Sequence, residues 1–226
     1  MLKLGRRKYL DEYCDRAYSY INYLDQKYSE WLGIPLSIKK TSVKPSGTVS
    51  LVAGALPGIH YAKAETYYRL VRVSNTSPLL EILKKSNYRI ETAAGDPLRT
   101  CVIYFPVSHA PGTISEKDVS IWEQFANAVD SQHYWADNQV SITISFQEHE
   151  KSQISRALSC FDTRLKGVSL LPLEDHGYEQ APYTPAPREE IEAYAKTLLP
   201  LDFSMLTSEG ENADANKFCD GDSCLI

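Results

Sequence analysis

The stretch Gln139-Val-Ser-Ile-Thr-Ile-Ser-Phe146 carries the clearest secondary-structure signal in the chain. Every second residue from Val140 to Phe146 is apolar, and a period of two places these side chains on one face of a β-strand. An amphipathic helical pattern follows between Ile154 and Phe161, and a second strand pattern runs from Gly167 to Pro172. The order strand, helix, strand predicts an α/β domain with parallel pairing.

Outward from this segment, the same kind of pattern covers most of the chain. Apolar residues spaced by three and four predict a long amphipathic helix from Arg6 to Leu32, ended by Gly33 and Pro35. The other predicted elements are a short strand, tight turn and helix start over residues 39–53, strands at 67–74 and 100–107, a helix at 78–86, and a helix from the Ser115 capping box to about Trp135.

Composition limits the classes of protein to consider. The chain has 226 residues, with 43% apolar and 23% charged content, which is enough for one sizeable core. No segment is apolar enough to span a bilayer, and no apolar signal region follows the basic N-terminus, so we expect a cytoplasmic protein without membrane contact. A net charge of -5 gives no support for general nucleic-acid binding.

The five cysteines divide into two groups. Cys14, Cys101 and Cys160 are isolated, and in a reducing compartment we expect them to be buried thiols. Cys219 and Cys224 lie close together near the end of a polar, glycine-containing run that cannot bury enough surface to offset its ordering entropy. This pattern predicts a flexible tail carrying a dithiol for thiol-disulfide exchange. The alternatives are two incidental exposed cysteines or half of a metal site.

The segment Lys44-Pro-Ser-Gly-Thr48 has the features of a phosphate-binding turn. It offers a glycine that permits close backbone approach, two hydroxyl groups, and amide donors at the start of a predicted helix. The motif is short, so an ordinary turn with a helix N-cap is the alternative. A second glycine-containing stretch, Ala53–Tyr61, follows closely. The five histidines show no metal-ligand spacing, and we therefore expect no metal site.

Several blocks together resemble one family. They are Val43–Leu51, Ala53–His60, Tyr134–Ile144, Ser169–Pro172, Gln180–Pro182 and the terminal Cys219-Asp-Gly-Asp-Ser-Cys224. In this order they resemble the C-terminal part of the class II ribonucleotide reductases, which reduce ribonucleoside triphosphates and depend on adenosylcobalamin. The joint occurrence of these blocks is far more specific than any one of them.

The resemblance implies a fold, a site and partners. Residues 1–206 are expected to form the C-terminal portion of a ten-stranded α/β barrel, and residues 207–226 a flexible tail. Pro45, Ser46, Gly47 and Thr48 correspond to the loop that holds the substrate phosphates, and Cys219 and Cys224 to the shuttle pair that thioredoxin reduces. Family contacts to adenosylcobalamin make Gly58 to His60 candidates, but no single cobalamin residue is assigned.

The sequence also departs from the family pattern. It contains nothing that resembles the loop with the radical cysteine, the first half of the barrel or the effector-binding region. The chain is therefore expected to be inactive alone and to need the missing N-terminal part, as a fragment or as one subunit of a split enzyme. The other hypotheses are a non-catalytic nucleotide-binding or thiol-redox module and a fragment of a class I large subunit; Tyr134-Trp135 and Asn138–Ser141 favour class II.

Overall fold

The computed structural model describes residues 5–46, 49–173, 177, 179–204 and 206. The helices, in chain order, are α1 (Arg6–Lys8), α2 (Arg16–Leu32), α3 (Val49–Val52), α4 (Leu79–Lys85), α5 (Ile121–Tyr134), α6 (Ile154–Phe161) and α7 (Arg188–Thr197). The strands are β1 (Thr66–Ser74), β2 (Ile90–Thr92), β3 (Thr100–Ser108), β4 (Thr143–Phe146), β5 (Ser169–Pro172) and β6 (Tyr183–Pro185).

The described residues form two compact units. Unit 1 takes its residues from Met1–Glu65 and His109–Tyr178, and unit 2 from Thr66–Ser108 and Glu179–Ile226. Sequence patterns did not reveal this division, because both units contain helices and strands and each unit is assembled from two separate parts of the chain. The boundary predicted between residues 206 and 207 stays a prediction, because residues 207–226 lie outside the described part.

The predicted N-terminal helix is confirmed. It is continuous from α1 through a π-helix at Tyr9–Asp15 into α2. Gly33 ends it in the left-handed conformation, with φ 64° and ψ 32°, and Ile34 N–H then bonds back to Ser29 O at 3.1 Å. No helix in the described part of the chain is both long enough and apolar enough to cross a bilayer.

Unit 1 is built on the parallel pair β4 and β5, which confirms the strand, helix and strand predicted from Gln139 onward. Helices α5 and α6 cover the pair, and the apolar face of 139–146 is buried as expected. Strand β4 is shorter than predicted and begins only at Thr143. The residues before it bond instead to the 41–43 segment, where Ser141 N–H reaches Val43 O at 2.9 Å.

The two edges of β4 are satisfied in different ways. Ile142 O and Phe146 O accept bonds from the β5 segment, so the backbone groups of Thr143 and Ser145 point to the opposite edge. There, Thr143 N–H bonds to a ring nitrogen of His60 at 3.1 Å. Ser145 gives its N–H to Gln124 Oε1 at 3.0 Å and accepts from Gln124 Nε2 at 2.8 Å. Side chains thus occupy positions that a neighbouring strand would fill.

Unit 2 is an antiparallel sheet with the strand order β2-β3-β1-β6. Strands β1 and β3 pair along their whole length, from Thr66↔Ser108 to Ser74↔Thr100. The prediction of parallel pairing is therefore wrong for this unit. The order of helical and strand patterns along a chain does not fix strand direction, and here a tight turn between β2 and β3, with Thr100 N–H bonded to Asp96 O at 3.0 Å, reverses the chain.

Two further boundaries differ from the prediction. Residues 39–46 form no strand, since their backbone groups bond to single backbone positions and to side chains of the 135–141 segment. The Ser115 capping box is present, but it closes the 3-10 turn Glu116–Asp118. Helix α5 starts later with its own cap, as Ser120 Oγ accepts from Glu123 N–H.

Candidate functional site

The phosphate-loop candidate begins in an exposed turn of unit 1. Pro45 and Ser46 are exposed, and Ser46 O accepts a hydrogen bond from Val49 N–H at 3.1 Å. Gly47 and Thr48, the other two predicted phosphate-binding residues, lie outside the described residues. The predicted helix start is confirmed as α3, but this helix has a single turn. A helix dipole that short contributes little, so anion binding here would rest on individual hydrogen-bond donors.

The residues leading into this turn are fixed to the segment before β4. Ser141 donates its N–H to Val43 O, and its hydroxyl accepts from Lys44 Nζ at 3.1 Å. Thr41 O accepts from Asn138 N–H at 3.2 Å. Two blocks that carry the family resemblance, 43–51 and 134–144, are therefore in direct contact.

Asp137 anchors the start of the same segment. Its carboxylate accepts from Tyr18 Oη at 2.6 Å, from Lys40 N–H at 2.7 Å and from Thr41 N–H at 3.3 Å. These bonds hold the pKa of Asp137 below its usual range, and the bond from Tyr18 has the largest effect. The carboxylate therefore stays ionised at neutral pH and ties helix α2 to the path of the loop.

The second glycine-containing stretch packs directly behind the loop. Gly58 has φ +59°, and a Cβ atom built on it would lie 3.0 Å from Lys44 O and 3.4 Å from Pro45 Cα. That spacing is tighter than ordinary van der Waals contact, so glycine is favoured here by both the backbone conformation and the close approach. The structure thus brings together two stretches that the sequence alone presents only as neighbours.

His60 connects this stretch to the sheet. Its Nδ1 lies 3.1 Å from Pro57 O, and its Nε2 lies 3.1 Å from the N–H of Thr143. Burial is the main cause that lowers the pKa of His60, and the nearby charge of Lys63 lowers it further. The imidazole is therefore neutral at physiological pH.

A cavity of about 470 Å³ lies beneath Lys44 and Gly58. Its other walls come from the π-helix and from the end of α5, with Tyr9, Tyr13 and Trp135 as the aromatic members. π-Helical turns are rare and occur often at functional sites. The arrangement presents aromatic surface beside a cationic side chain.

The described cysteines do not form a redox site. Cys14 and Cys101 are buried free thiols, as predicted, and burial raises the pKa of both. Cys160 is also free but is exposed on α6, so the expectation that all three are buried is wrong for this residue. It lies one turn from the buried Ala157 near the end of a short helix, where the core no longer covers it. Cys219 and Cys224 lie outside the described residues.

Unit 2 contains the Gln180–Pro182 block. Gln180 has a left-handed backbone, with φ 57°, and its side chain bonds to Ala94 N–H and Thr92 O, both at 2.9 Å. Pro182 O accepts from Leu70 N–H at 3.0 Å. The block is thus a fixed connection between β1 and the end of β2. Among the described residues of the chain, no cluster of three or more His, Cys, Asp or Glu could hold a metal ion.

Sequence reasoning missed two residues at this site. His60 was considered only as a candidate for contact with cobalamin, and Gln124 was not singled out at all. Gln124 did leave a signal, because it is a polar residue beside the apolar positions Ile121, Phe125 and Ala128 of α5, and a buried amide needs partners. The role of His60 depends on Thr143, which is distant in sequence, and no local pattern reports such a contact.

Comparison with known proteins identifies the relationship. No family model matches the chain. A probable adenosylcobalamin-dependent ribonucleoside-triphosphate reductase of Dictyostelium discoideum is 41% identical over 96% of this chain, which covers 29% of that protein. The corresponding reductase of Euglena gracilis is also 41% identical over 96% of the chain, which covers 30% of it. A crystal structure of a B12-dependent class II ribonucleotide reductase superposes with a TM-score of 0.78 and 36% identity, covering 85% of this chain and 27% of that one.

The chain belongs to the adenosylcobalamin-dependent ribonucleoside-triphosphate reductase family. The resemblance found in the sequence is thereby confirmed. The α/β class is confirmed as well, with the antiparallel sheet of unit 2 as a feature that the sequence did not predict. The chain spans about 30% of the length of the curated reductases it matches.

Proposed function

We propose that this chain supplies the substrate-phosphate loop and the thioredoxin-linked dithiol of a B12-dependent ribonucleotide reductase, as part of a ten-stranded barrel. The observation that carries the proposal is the similarity to such reductases over 96% of the chain. The two roles rest on the sequence blocks around Ser46 and at Cys219 and Cys224 that carry the family resemblance. The complete enzyme would reduce ribonucleoside triphosphates with the rest of the polypeptide present.

The geometry around the turn supports the phosphate role. Pro45 and Ser46 are exposed and so accessible to a ligand, while Lys44 and Gly58 behind them are held by Ser141 and His60. A preorganised turn loses little entropy on binding an anion. We propose that Ser46, Gly47 and Thr48 provide the donors to the phosphates and that Pro45 shapes the turn.

Adenosylcobalamin would supply the radical that starts the reaction. Unit 1 has cavities of about 360, 470 and 650 Å³, sizes usual for drug-like ligands, and cobalamin is far larger. The described residues of this unit therefore fit at most one part of a cobalamin pocket. We propose that the remaining polypeptide provides the rest, and we assign no cobalamin contact to a single residue.

The role proposed for the tail is electron transfer. A thiolate of Cys219 or Cys224 attacks the disulfide left in the barrel after turnover, and the mixed disulfide is resolved by the second cysteine. The barrel disulfide becomes two thiols, and the tail dithiol becomes a disulfide, so two electrons and two protons are transferred. The dithiol of thioredoxin then restores the tail. Extended, the twelve steps from Thr207 to Cys219 reach about 40 Å.

Replacing Cys219 or Cys224 by Ser in the complete enzyme tests this role. We expect thioredoxin-supported turnover to fall to background, while turnover with a small dithiol is largely retained, because the small molecule reaches the barrel disulfide directly. Cys160→Ser is the matched control, since Cys160 is an exposed free thiol of the same chain, and it should leave both activities unchanged. Equal loss with both reductants would contradict the shuttle role.

The relatives and the solved structure described above all depend on B12, which favours this proposal over a class I fragment. Spectroscopy provides a direct test. Formation of cob(II)alamin on mixing the complete enzyme with adenosylcobalamin, a thiol reductant and substrate is the expected result. Turnover without the cofactor would contradict it.

A further inference from the structure

The two ring nitrogens of His60 face groups of opposite kind. Thr143 N–H can only donate, so Nε2 must be an unprotonated acceptor at their 3.1 Å separation. Pro57 O can only accept, so Nδ1 must carry the hydrogen at its 3.1 Å separation. Both bonds exist together only when the ring is neutral with its hydrogen on Nδ1.

These two bonds form a path from the sheet to the loop. Thr143 opens β4, which β5 holds in register. Pro57 O accepts from both Nδ1 and the backbone N–H of His60, the latter at 3.2 Å. The imidazole therefore stabilises the 57–60 turn by bonding to its first residue. The next residue, Gly58, is the one that packs against Lys44 O and Pro45 Cα. A continuous series of contacts thus connects the imidazole to the loop through the 57–60 turn.

We propose that His60 is a positioning residue, whose neutral imidazole clamps the 57–60 turn to β4 and thereby seats Lys44–Ser46 for the substrate phosphates. The assignment of phosphates to this loop rests on the proposed function. The mechanical link from His60 to Lys44 does not, and the two parts are tested by separate measurements.

Protonation should release the clamp. A doubly protonated ring would turn an N–H toward the N–H of Thr143, and that bond would be lost. The charged groups that act on the ring are Lys63 and Glu116, which pair with each other at 2.7 Å and so largely offset one another. Burial raises the pKa of the nearby Tyr61, which keeps that hydroxyl neutral.

The direction of the pH effect follows from burial. The pKa of His60 in the clamped state is below the ordinary histidine value of 6.5, so the released state binds protons more readily. The clamp is therefore fully formed above pH 6.5 and is lost as the pH falls below that value toward the lower pKa of the clamped ring.

Two neutral variants separate the bonds of the ring. Glutamine places an amide oxygen near the position of Nε2, so His60→Gln keeps an acceptor for Thr143 and cannot titrate. Asparagine places an amide nitrogen near the position of Nδ1, so His60→Asn keeps a donor for Pro57 and loses Thr143. His133→Gln is the matched control, because His133 is an exposed histidine of the same unit.

Hydrogen exchange of the full chain tests the mechanical link. At pH 8, we expect residues 41–46 and Thr143 to exchange about tenfold faster in His60→Asn than in the wild type, the change expected for one lost hydrogen bond. As the pH is lowered stepwise from 6.5 to 5, after correction for intrinsic exchange rates, the wild type should progressively lose protection at the same residues, while His60→Gln retains it. His133→Gln should follow the wild type. Faster exchange at Thr143 with unchanged exchange at 41–46, in His60→Asn or in the acidified wild type, would overturn the positioning role.

Kinetics of the complete reductase test the link to substrate. When the pH is lowered stepwise from 8 to 5, the KM for a ribonucleoside triphosphate should rise more in the wild type than in His60→Gln, while kcat changes equally in both. The titration of the triphosphate itself is common to both proteins and cancels in this comparison. If exchange follows the expectation but KM does not, the clamp stands and the phosphate assignment of the loop is overturned.

Discussion

The sheet of unit 2 and the strand pair of unit 1 are held in register by different means. In unit 2, β1 and β3 pair along their entire length and β2 and β6 extend the ladder on both sides. In unit 1, β4 is a four-residue strand with a strand neighbour on one edge and side chains of His60 and Gln124 on the other.

This difference determines how strongly each unit depends on individual side chains. A backbone ladder is formed by every residue and tolerates many side chains, so the register of unit 2 depends on no single hydrogen-bonding side chain. The edge of β4 that faces away from β5 depends on two. Unit 1 should therefore be far more sensitive to substitution of individual polar residues, and it is this unit that carries the candidate site.

The largest effect is expected for Gln124→Ala. It removes the amide that bonds to both backbone groups of Ser145, which is only 2% exposed, and leaves a buried N–H and a buried C=O unsatisfied. The free energy of unfolding should fall by about 3 kcal/mol. Urea denaturation followed by tryptophan fluorescence reports on unit 1, because all three tryptophans lie within it.

Gln26→Ala is the control for this measurement. Gln26 is an exposed glutamine of α2 that bonds only to the neighbouring side chain of Glu30, so its loss should cost less than about 0.5 kcal/mol. If the two variants are equally stable, side chains do not hold the edge of β4, and the comparison between the units fails.

A smaller effect is expected for Gly58→Ala. Gly54 and Gly58 both have positive φ, 65° and 59°, so alanine at either position costs about 1 kcal/mol in backbone strain. Only at Gly58 would the new methyl group also meet Lys44 O, which should add about 1 kcal/mol. The difference in unfolding free energy between Gly58→Ala and Gly54→Ala measures how firmly the two loops press together. Equal losses would mean that they do not.

The smallest effect is expected in unit 2. Tyr104→Phe removes a hydrogen bond of 2.7 Å to Glu91, at a cost of about 1 kcal/mol. The pairs Ile90↔Ile103 and Thr92↔Cys101 should persist, because backbone bonds hold them. Nuclear magnetic resonance can follow both results: the amides of β2 stay protected, while the pKa of Glu91, which Tyr104 chiefly holds down, rises. Loss of protection across β2 would show that unit 2 also relies on side chains.

Much of the secondary structure could be predicted from the sequence. Local patterns were sufficient for the helix that Gly33 ends, for β1, β3 and β5, and for the buried face of β4. Strand direction in unit 2 could not be predicted, because it depends on pairing between residues far apart in sequence. The exposure of Cys160 was missed for a related reason. Composition predicts only how often cysteines are buried, whereas the packing of α6 determines whether this particular cysteine is.

For the candidate site, too, local composition could be interpreted from the sequence, and contacts between distant residues could not. The sequence indicated Pro45, Ser46 and the glycine stretch that follows, since loops for anions have a recognisable composition. It did not indicate that Gly58 would lie against Lys44, or that Gln124 would bond to Ser145. These contacts arise from the folded arrangement of segments, and each was visible beforehand only as an unexplained glycine or a polar residue on an apolar face.

The amide of Gln124 has a consequence for solubility. Strand β4, with Ile144 and Phe146 in its short sequence, has the composition of segments that join other chains to form fibrils. A carboxamide presents one donor and one acceptor, as a peptide group does, and at Ser145 it fills the place where a foreign strand would begin to pair. We therefore expect Gln124→Ala to aggregate from partly unfolded states at lower concentrations than equally destabilised variants of unit 2.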